Sequence, residues 1–243
     1  RTYTVGAHSR FNIWVDYEQV PADSGLTPLA DTDVSAMIES LNGIAIIVER
    51  AMYRAWPGQF FGAGHESTGV TAPAPQWFLA EGATGPYFDL FVLMANPSDR
   101  RVIVDATYLL PDGTTVARSY DVAAFSRFTV WVDHEDGRLA NTSVATKIQT
   151  RDGTPIVVER AMYFAGTGSL ATPWEAGHGS AAVTGPGKAW FFGEGYTVDT
   201  PSLAFDTFLL LANPGAVATD VTVEFLLEND TPVVKTYRLA PTS

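Results

Sequence analysis

The chain has 243 residues, with 15 basic and 27 acidic side chains and a formal charge of −12. That balance, with Lys147, Lys188 and Lys235 its only lysines, excludes the basic footprint that binding nucleic-acid phosphates requires. Hydrophobic residues at 46% and aromatics at 12% exclude a disordered chain, and apolar runs as short as 44–48 and 90–95 exclude membrane-spanning helices. No cysteine is present, so neither disulfides nor a thiolate metal site are available.

In chain order, Arg1 opens the sequence without a leader pattern, which predicts a processed chain or a segment of a longer one. Residues 3–5 are strand-like, and 11–16 alternate apolar and mixed positions with a period of two. Residues 29–37 carry the only helix-like pattern, and it is weak. Turn signals follow at Asn42-Gly43, Asp112-Gly113 and Asp152-Gly153, where the residue types tolerate the positive φ of tight hairpins. They predict a hairpin from 102–110 to 116–122. Residues 128–133 repeat the alternation of 11–16, and 221–225 alternate in the same way.

These elements belong to an internal duplication. Glu49-Arg50-Ala51-Met52-Tyr53 recurs as Glu159-Arg160-Ala161-Met162-Tyr163. Ser9-Arg10-Phe11 with Trp14-Val15-Asp16 recurs as Ser126-Arg127-Phe128 with Trp131-Val132-Asp133. Gly64-His65, Trp77-Phe78, Glu81-Gly82, Phe88-Asp89 and Ala95-Asn96-Pro97 each return, as Gly177-His178, Trp190-Phe191, Glu194-Gly195, Phe205-Asp206 and Ala212-Asn213-Pro214. The offset wanders between 110 and 117. The pattern predicts an all-β protein of two tandem immunoglobulin-like β-sandwich modules, from a repeat of about 115 residues. The simplest division is 1–115 and 116–243, the second part including a third copy of the first strand. The alternative is a continuous module over 75–188, with 1–74 and 189–243 forming a discontinuous one or being completed by neighbouring chains.

Strand geometry sets the expectations for single residues. Arg50 and Arg160 share faces with Val48/Met52 and Val158/Met162, so each guanidinium needs a carboxylate to offset its desolvation. Glu81 and Glu194 are the natural partners, giving structural ion pairs that pin a sheet to a loop. His65 and His178 follow glycines; a hydrogen-bonding structural role is favoured over ligand contact, since zinc-type ligand spacing is missing. The acidic groups Asp16/Glu18 and Asp133/Glu135/Asp136 lack the spacing of a calcium loop and are expected to be solvated turns. Trp14 and Trp131 stand on the more polar strand face, as an inter-module seam or a carbohydrate platform. Trp77 and Trp190 are expected in a core, and Trp56 and Trp174 in loops open to partner contact. No nucleophile elbow, phosphate loop or zinc helix occurs, so no catalytic, cofactor or metal residue is expected.

Taken together, Trp77-Phe78-Leu79-Ala80-Glu81-Gly82-Ala83-Thr84, Leu93-Met94-Ala95-Asn96-Pro97 and Glu159-Arg160-Ala161-Met162-Tyr163 resemble the tandem β modules of unknown function found in bacterial secreted and cell-surface proteins. The resemblance covers essentially the whole chain; Gly193 departs from it where the first copy has Ala80. It implies an extracellular, repetitive, non-catalytic segment and supplies no catalytic residues. The expected function is therefore structural, with self-association or contact with neighbouring repeats, by strand addition into a filament or surface layer. The alternative is an adhesive module binding cell-wall or surface glycans through exposed tryptophans. No membrane insertion is expected.

Overall fold

The computed structural model describes residues 1–56, 58–164, 174–200, 202–228 and 231–243, apart from the side chains of Trp56 and Gln59. Its strands are β1 (Glu49–Trp56), β2 (Gln59–Thr68), β3 (Gln76–Leu79), β4 (Phe88–Asn96), β5 (Val102–Leu109), β6 (Thr115–Val122) and β7 (Ser126–Trp131). They continue with β8 (Ala145–Thr150), β9 (Val157–Phe164), β10 (Ala176–Ala181), β11 (Val198–Thr200), β12 (Leu203–Phe205), β13 (Thr219–Phe225) and β14 (Val233–Leu239). The chain is all-β: described helices are single turns of 3₁₀ type, and none is long and apolar enough to cross a membrane. Residues 29–37 hold turns and irregular backbone instead of a helix.

Two antiparallel four-stranded sheets, ordered β10-β9-β4-β7 and β3-β8-β5-β6, face each other across the hydrophobic core. Period-two alternation builds that core. On β4, Leu90, Val92 and Met94 point inward, and on β5 Val102, Val104, Ala106 and Tyr108 meet them from the other sheet. Each large apolar side chain so buried contributes about 1.5–3 kcal/mol. Trp77 on β3 is 2% exposed, and its indole N–H donates to the carbonyls of Ala74 and Ile156 at 3.0 and 2.9 Å. The repeated Ala-Asn-Pro also has a physical cause. Asn96 is buried, donates to the carbonyls of Arg100 and Ala123 at 2.7 and 2.9 Å, and accepts from the Ser98 N–H. It therefore ties the β4–β5 turn to the end of β6.

The sandwich core runs from Trp77 to Ala182. The β5–β6 hairpin spans residue 115 within one sheet, pairing Leu109 with Thr115, and turns at Gly113 with φ of 80°. Outside the sandwich, the strands form separate hairpins: β1 with β2, β11 with β12, and β13 with β14. By compactness Arg1–Glu39 is one unit and Ser40–Ser243 another. The first is tied together by Glu18, which accepts from Arg1 at 2.5 Å and from the Tyr3 hydroxyl at 2.7 Å.

The repeated Gly-His is explained by cross-strand packing. Tyr163 lies opposite Gly177, and a Cβ there would stand 2.5 Å from the tyrosine ring and 2.9 Å from the Met162 carbonyl. Tyr53 covers Gly64 in the same way, at 2.5 Å. Gly177→Ala is expected to lower stability by about 1–3 kcal/mol, the usual range for an overpacked site. Gly64→Ala should leave the main unfolding transition in place, because no described side chain of β1–β2 belongs to the buried core. Urea unfolding of the two variants checks this.

Candidate functional site

The outward face of the β10-β9-β4-β7 sheet carries the strongest cluster of recognition-type side chains. The alternation that buries Leu90 and Val92 turns Asp89 and Phe91 outward. Register then sets Trp131 of β7 opposite Phe91, and Tyr163 of β9 opposite Asp89. Trp174 stacks on Tyr163, with ring centroids 4.8 Å apart and planes at 25°. Phe91 meets Trp131, Tyr163 and Trp174 at 5.2, 5.7 and 5.8 Å, and His134 packs edge-on against Trp131 at 4.4 Å. The Asp89 carboxylate accepts from the indole N–H groups of both Trp131 and Trp174, holding the two rings. Trp131 remains 39% exposed. Such a surface offers π faces with a fixed carboxylate between them, suited to sugar C–H faces or an apolar partner.

A second cluster joins the two copies of the Glu-Arg-Ala-Met-Tyr hairpin. The strand β2 packs against β10, and His65 sits on Gly179, where a Cβ would lie 2.9 Å from its Cε1. Glycine at 179 makes this possible; the first copy has Glu66 at that place. Arg50 bonds the Glu159 carboxylate at 2.6 Å and the Ser67 hydroxyl at 3.0 Å. Arg160 bonds the Glu81 carboxylate at 2.6 Å and also donates to the Glu81 carbonyl at 3.0 Å. At 6% exposure Arg160 is buried, and burial lowers its pKa against the raising effect of Glu81. Glu81 is thus one of the expected partners. Glu194, the other expected partner, is exposed, and no ion pair of it occurs among the described residues. Arg50 instead reaches the repeat counterpart of its own neighbour Glu49.

Both nitrogens of His65 are buried without a hydrogen-bond partner. Burial, then Arg50 and His178, push its pKa down, while Glu66 and Glu159 oppose. His178 is more open to solvent, yet is pushed down by local desolvation and Arg160 against Glu81. A histidine depressed in the fold favours the neutral state, so its contribution is present above the ordinary pKa near 6.5 and is lost as pH falls below it. Acidification from neutral to about pH 5 is therefore expected to loosen β2 from β10, and His65→Gln to remove most of that dependence. Amide exchange of residues 59–68 against pH reads this directly; unchanged protection would contradict it.

The remaining expected residues fall elsewhere. Trp14 is exposed in the unit Arg1–Glu39, edge-on to Tyr17 at 4.8 Å, with its N–H on Asp16 at 2.9 Å. The side chain of Trp56 lies outside the described residues. Trp190, expected in a core, is exposed: Trp77 lies on β3 beside β8, whereas Trp190 belongs to no strand pair among the described residues. The acidic groups on 133–136 form a network rather than a solvated turn. Asp133 accepts from the N–H groups of Leu90 and Gly85 at 2.9 and 3.2 Å, and its burial raises its pKa. Glu135 accepts from the Tyr120 hydroxyl at 2.8 Å, and Asp136 pairs with Arg118 and Arg138 at 2.9 and 3.1 Å. No group of three or more His, Asp or Glu placed to hold a metal occurs among the described residues.

Asp89, Phe91 and Tyr163 are the site residues that sequence reasoning missed, and His134 is one it gave little weight because its repeat counterpart is Tyr17. Repetition of Phe-Asp at 88–89 and 205–206 was the available signal, but strand register was needed to see its neighbours.

No protein-family model matches the chain, and no curated protein matches it. Among solved structures, it is similar to one described as the crystal structure of Thermotoga maritima 1070, at 13% identity and a TM-score of 0.40, over 48% of this chain and 98% of that one. It is similar also to the Anabaena sensory rhodopsin transducer, at 25% identity and a TM-score of 0.32, over 37% of this chain and 97% of that one. At those scores neither likeness bears on function.

Proposed function

We propose that the protein is a non-catalytic structural and interaction module of the bacterial cell exterior, which associates with copies of itself by strand addition into a filament or surface layer. One observation carries the reading: strand sequences that the sandwich buries are exposed where they recur. Trp77 is 2% exposed, but Trp190 and Phe191 in the same motif are 56% and 92% exposed. Phe208 is 76% exposed beside Leu209, Leu210 and Leu211, in the counterpart of the central strand β4. Apolar surface of that extent on a soluble chain marks an association site. The location outside the cell rests on the resemblance of the repeat motifs. Sedimentation velocity over a roughly hundredfold concentration range tests the reading. Oligomers growing with concentration are expected, and a monomer throughout would contradict it.

The aromatic face around Asp89 favours a second reading, adhesion to cell-wall or surface glycans. Trp131 and Trp174 are among the tryptophans expected to contact a ligand, and Phe91 and Tyr163 extend their platform. Tryptophan fluorescence titrated with cell-wall fragments, for the native chain and for Trp131→Ala, separates the two readings. A saturable change abolished by the substitution supports adhesion, and silence in both removes it.

A further inference from the structure

Two of the hairpins outside the sandwich, β1–β2 and β13–β14, reproduce its internal registers. β1–β2 pairs Met52 with His65 and Tyr53 with Gly64, as β9–β10 pairs Met162 with His178 and Tyr163 with Gly177. β13–β14 pairs Thr219 with Leu239 and Phe225 with Val233, as β5–β6 pairs Val102 with Val122 and Tyr108 with Val116. Asn213 donates to the carbonyls of Val217 and Ala240 at 2.9 and 2.8 Å, the staple that Asn96 makes inside the sandwich. These two hairpins are thus already folded as their counterparts are folded, but among the described residues each lacks the further strand beside it.

In the sandwich, β9 is flanked by β10 on one side and by β4 on the other. The counterpart of β9 is β1, whose side away from β2 has no strand partner among the described residues. The counterpart of β4 is the segment 205–212, which beyond the end of β12 is unpaired among the described residues and has exposed leucines. Two matching edges are therefore open. Within one chain they stay apart: β2 packs on β10, Arg50 is held by Glu159, and Ile47 beside β1 is 89% exposed.

We infer that residues 205–212 of one copy add as an antiparallel strand to β1 of a second copy, in the register that β4 takes on β9. The inference rests on the self-association reading and names its geometry. Leu90 pairs with Met162, Phe91 with Ala161, Val92 with Arg160 and Met94 with Val158. The equivalent pairs between copies are Thr207 with Met52, Phe208 with Ala51, Leu209 with Arg50 and Leu211 with Val48. Leu209, Leu211 and Val48 take the places of Val92, Met94 and Val158, all three buried in the sandwich. Arg50 takes the place of Arg160, whose carboxylate is Glu81. The counterpart of Glu81 is Glu194, unpaired among the described residues and carried by the same copy as the incoming strand. The added strand thus brings its own counter-ion for the guanidinium it covers.

Absence of cysteine makes the register directly testable. Ala51→Cys, Phe208→Cys and Ala212→Cys are prepared as separate full-length variants, mixed in pairs under mild oxidation, and read by non-reducing electrophoresis and peptide mass. None of the three positions belongs to the buried core, so unchanged thermal unfolding verifies each variant. In the inferred register Ala51 and Phe208 are direct partners, within the Cα separation a disulfide spans, about 5.5 Å. Ala212 is displaced by four residues, roughly 13 Å. The 51–208 mixed dimer is expected in about tenfold excess over the 51–212 dimer. Equal yields or no product would overturn the inference, as would a chain carrying both Ala51→Cys and Phe208→Cys that closes only within the monomer. Oligomers by sedimentation without the 51–208 link would leave self-association standing and remove this register, whereas a strict monomer removes both.

Discussion

Val92→Asp is expected to prevent folding of the sandwich, whereas Leu209→Asp, at the same place in the repeat, leaves it folded and abolishes association. Val92 is fully buried on the central strand β4, between β7 and β9 and against the opposite sheet. A carboxylate there must stay charged without a partner or take up a proton, and either costs several kcal/mol. Against a total stability of about 5–15 kcal/mol, that is enough to populate the unfolded chain. Leu209 has no such surroundings in the single chain, so its replacement changes urea unfolding of the sandwich very little. In an assembly it would lie where Val92 lies in the sandwich, and the same desolvation cost then falls on the interface. A loss of 1.4 kcal/mol weakens association tenfold, so several kcal/mol shift dissociation by at least about a hundredfold. Urea unfolding and sedimentation of both variants check the contrast.

Glu81→Gln is the second large effect expected. Arg160 is buried, its Nε has no partner, and its charge is met by the Glu81 carboxylate at 2.6 Å and carbonyl at 3.0 Å. Removing one member of a buried pair typically costs about 3–5 kcal/mol, because the other is left desolvated and uncompensated. The lower end applies here, since the Glu81 side chain is 29% exposed and water can reach the site. Arg160→Met added to Glu81→Gln is expected to restore much of the loss, as methionine suits the apolar surroundings. Arg50→Met, which breaks a pair whose arginine side chain is 41% exposed, should cost at most about 1 kcal/mol. Urea unfolding of the single and double variants measures the coupling between Glu81 and Arg160.

Much of the fold is legible in the sequence. Period-two alternation marked 221–225 and most of 128–133 as strands, and Asp112-Gly113 marked the β5–β6 turn, but residues 132–133 form a 3₁₀ turn and the matching run 11–16 lies in no strand. The need of Arg160 for a carboxylate followed from its apolar neighbours on the strand face. What alternation cannot supply is which strands are neighbours. The pairing of β3 with β8 joins residues about seventy positions apart, and nothing local in Gln76–Leu79 specifies it. Hence the sequence set Glu81 and Glu194 alike as partners, though only Glu81 pairs with an arginine among the described residues, and the aromatic cluster around Asp89 was hidden. The role of Asn96 was also hidden, because its carbonyl partners sit on a loop and at the end of a different strand. Trp190 is exposed where Trp77 is buried: a repeated motif is buried or open according to which strands stand beside it, a long-range property.

As a strand awaiting a partner copy, segment 205–212 is tested most directly by its amide exchange. Exchange should be fast in dilute protein and slow towards that of β4 as concentration rises, with β4 itself unchanged throughout. Exchange over 205–212 that is independent of concentration, whether fast or slow, would contradict the account.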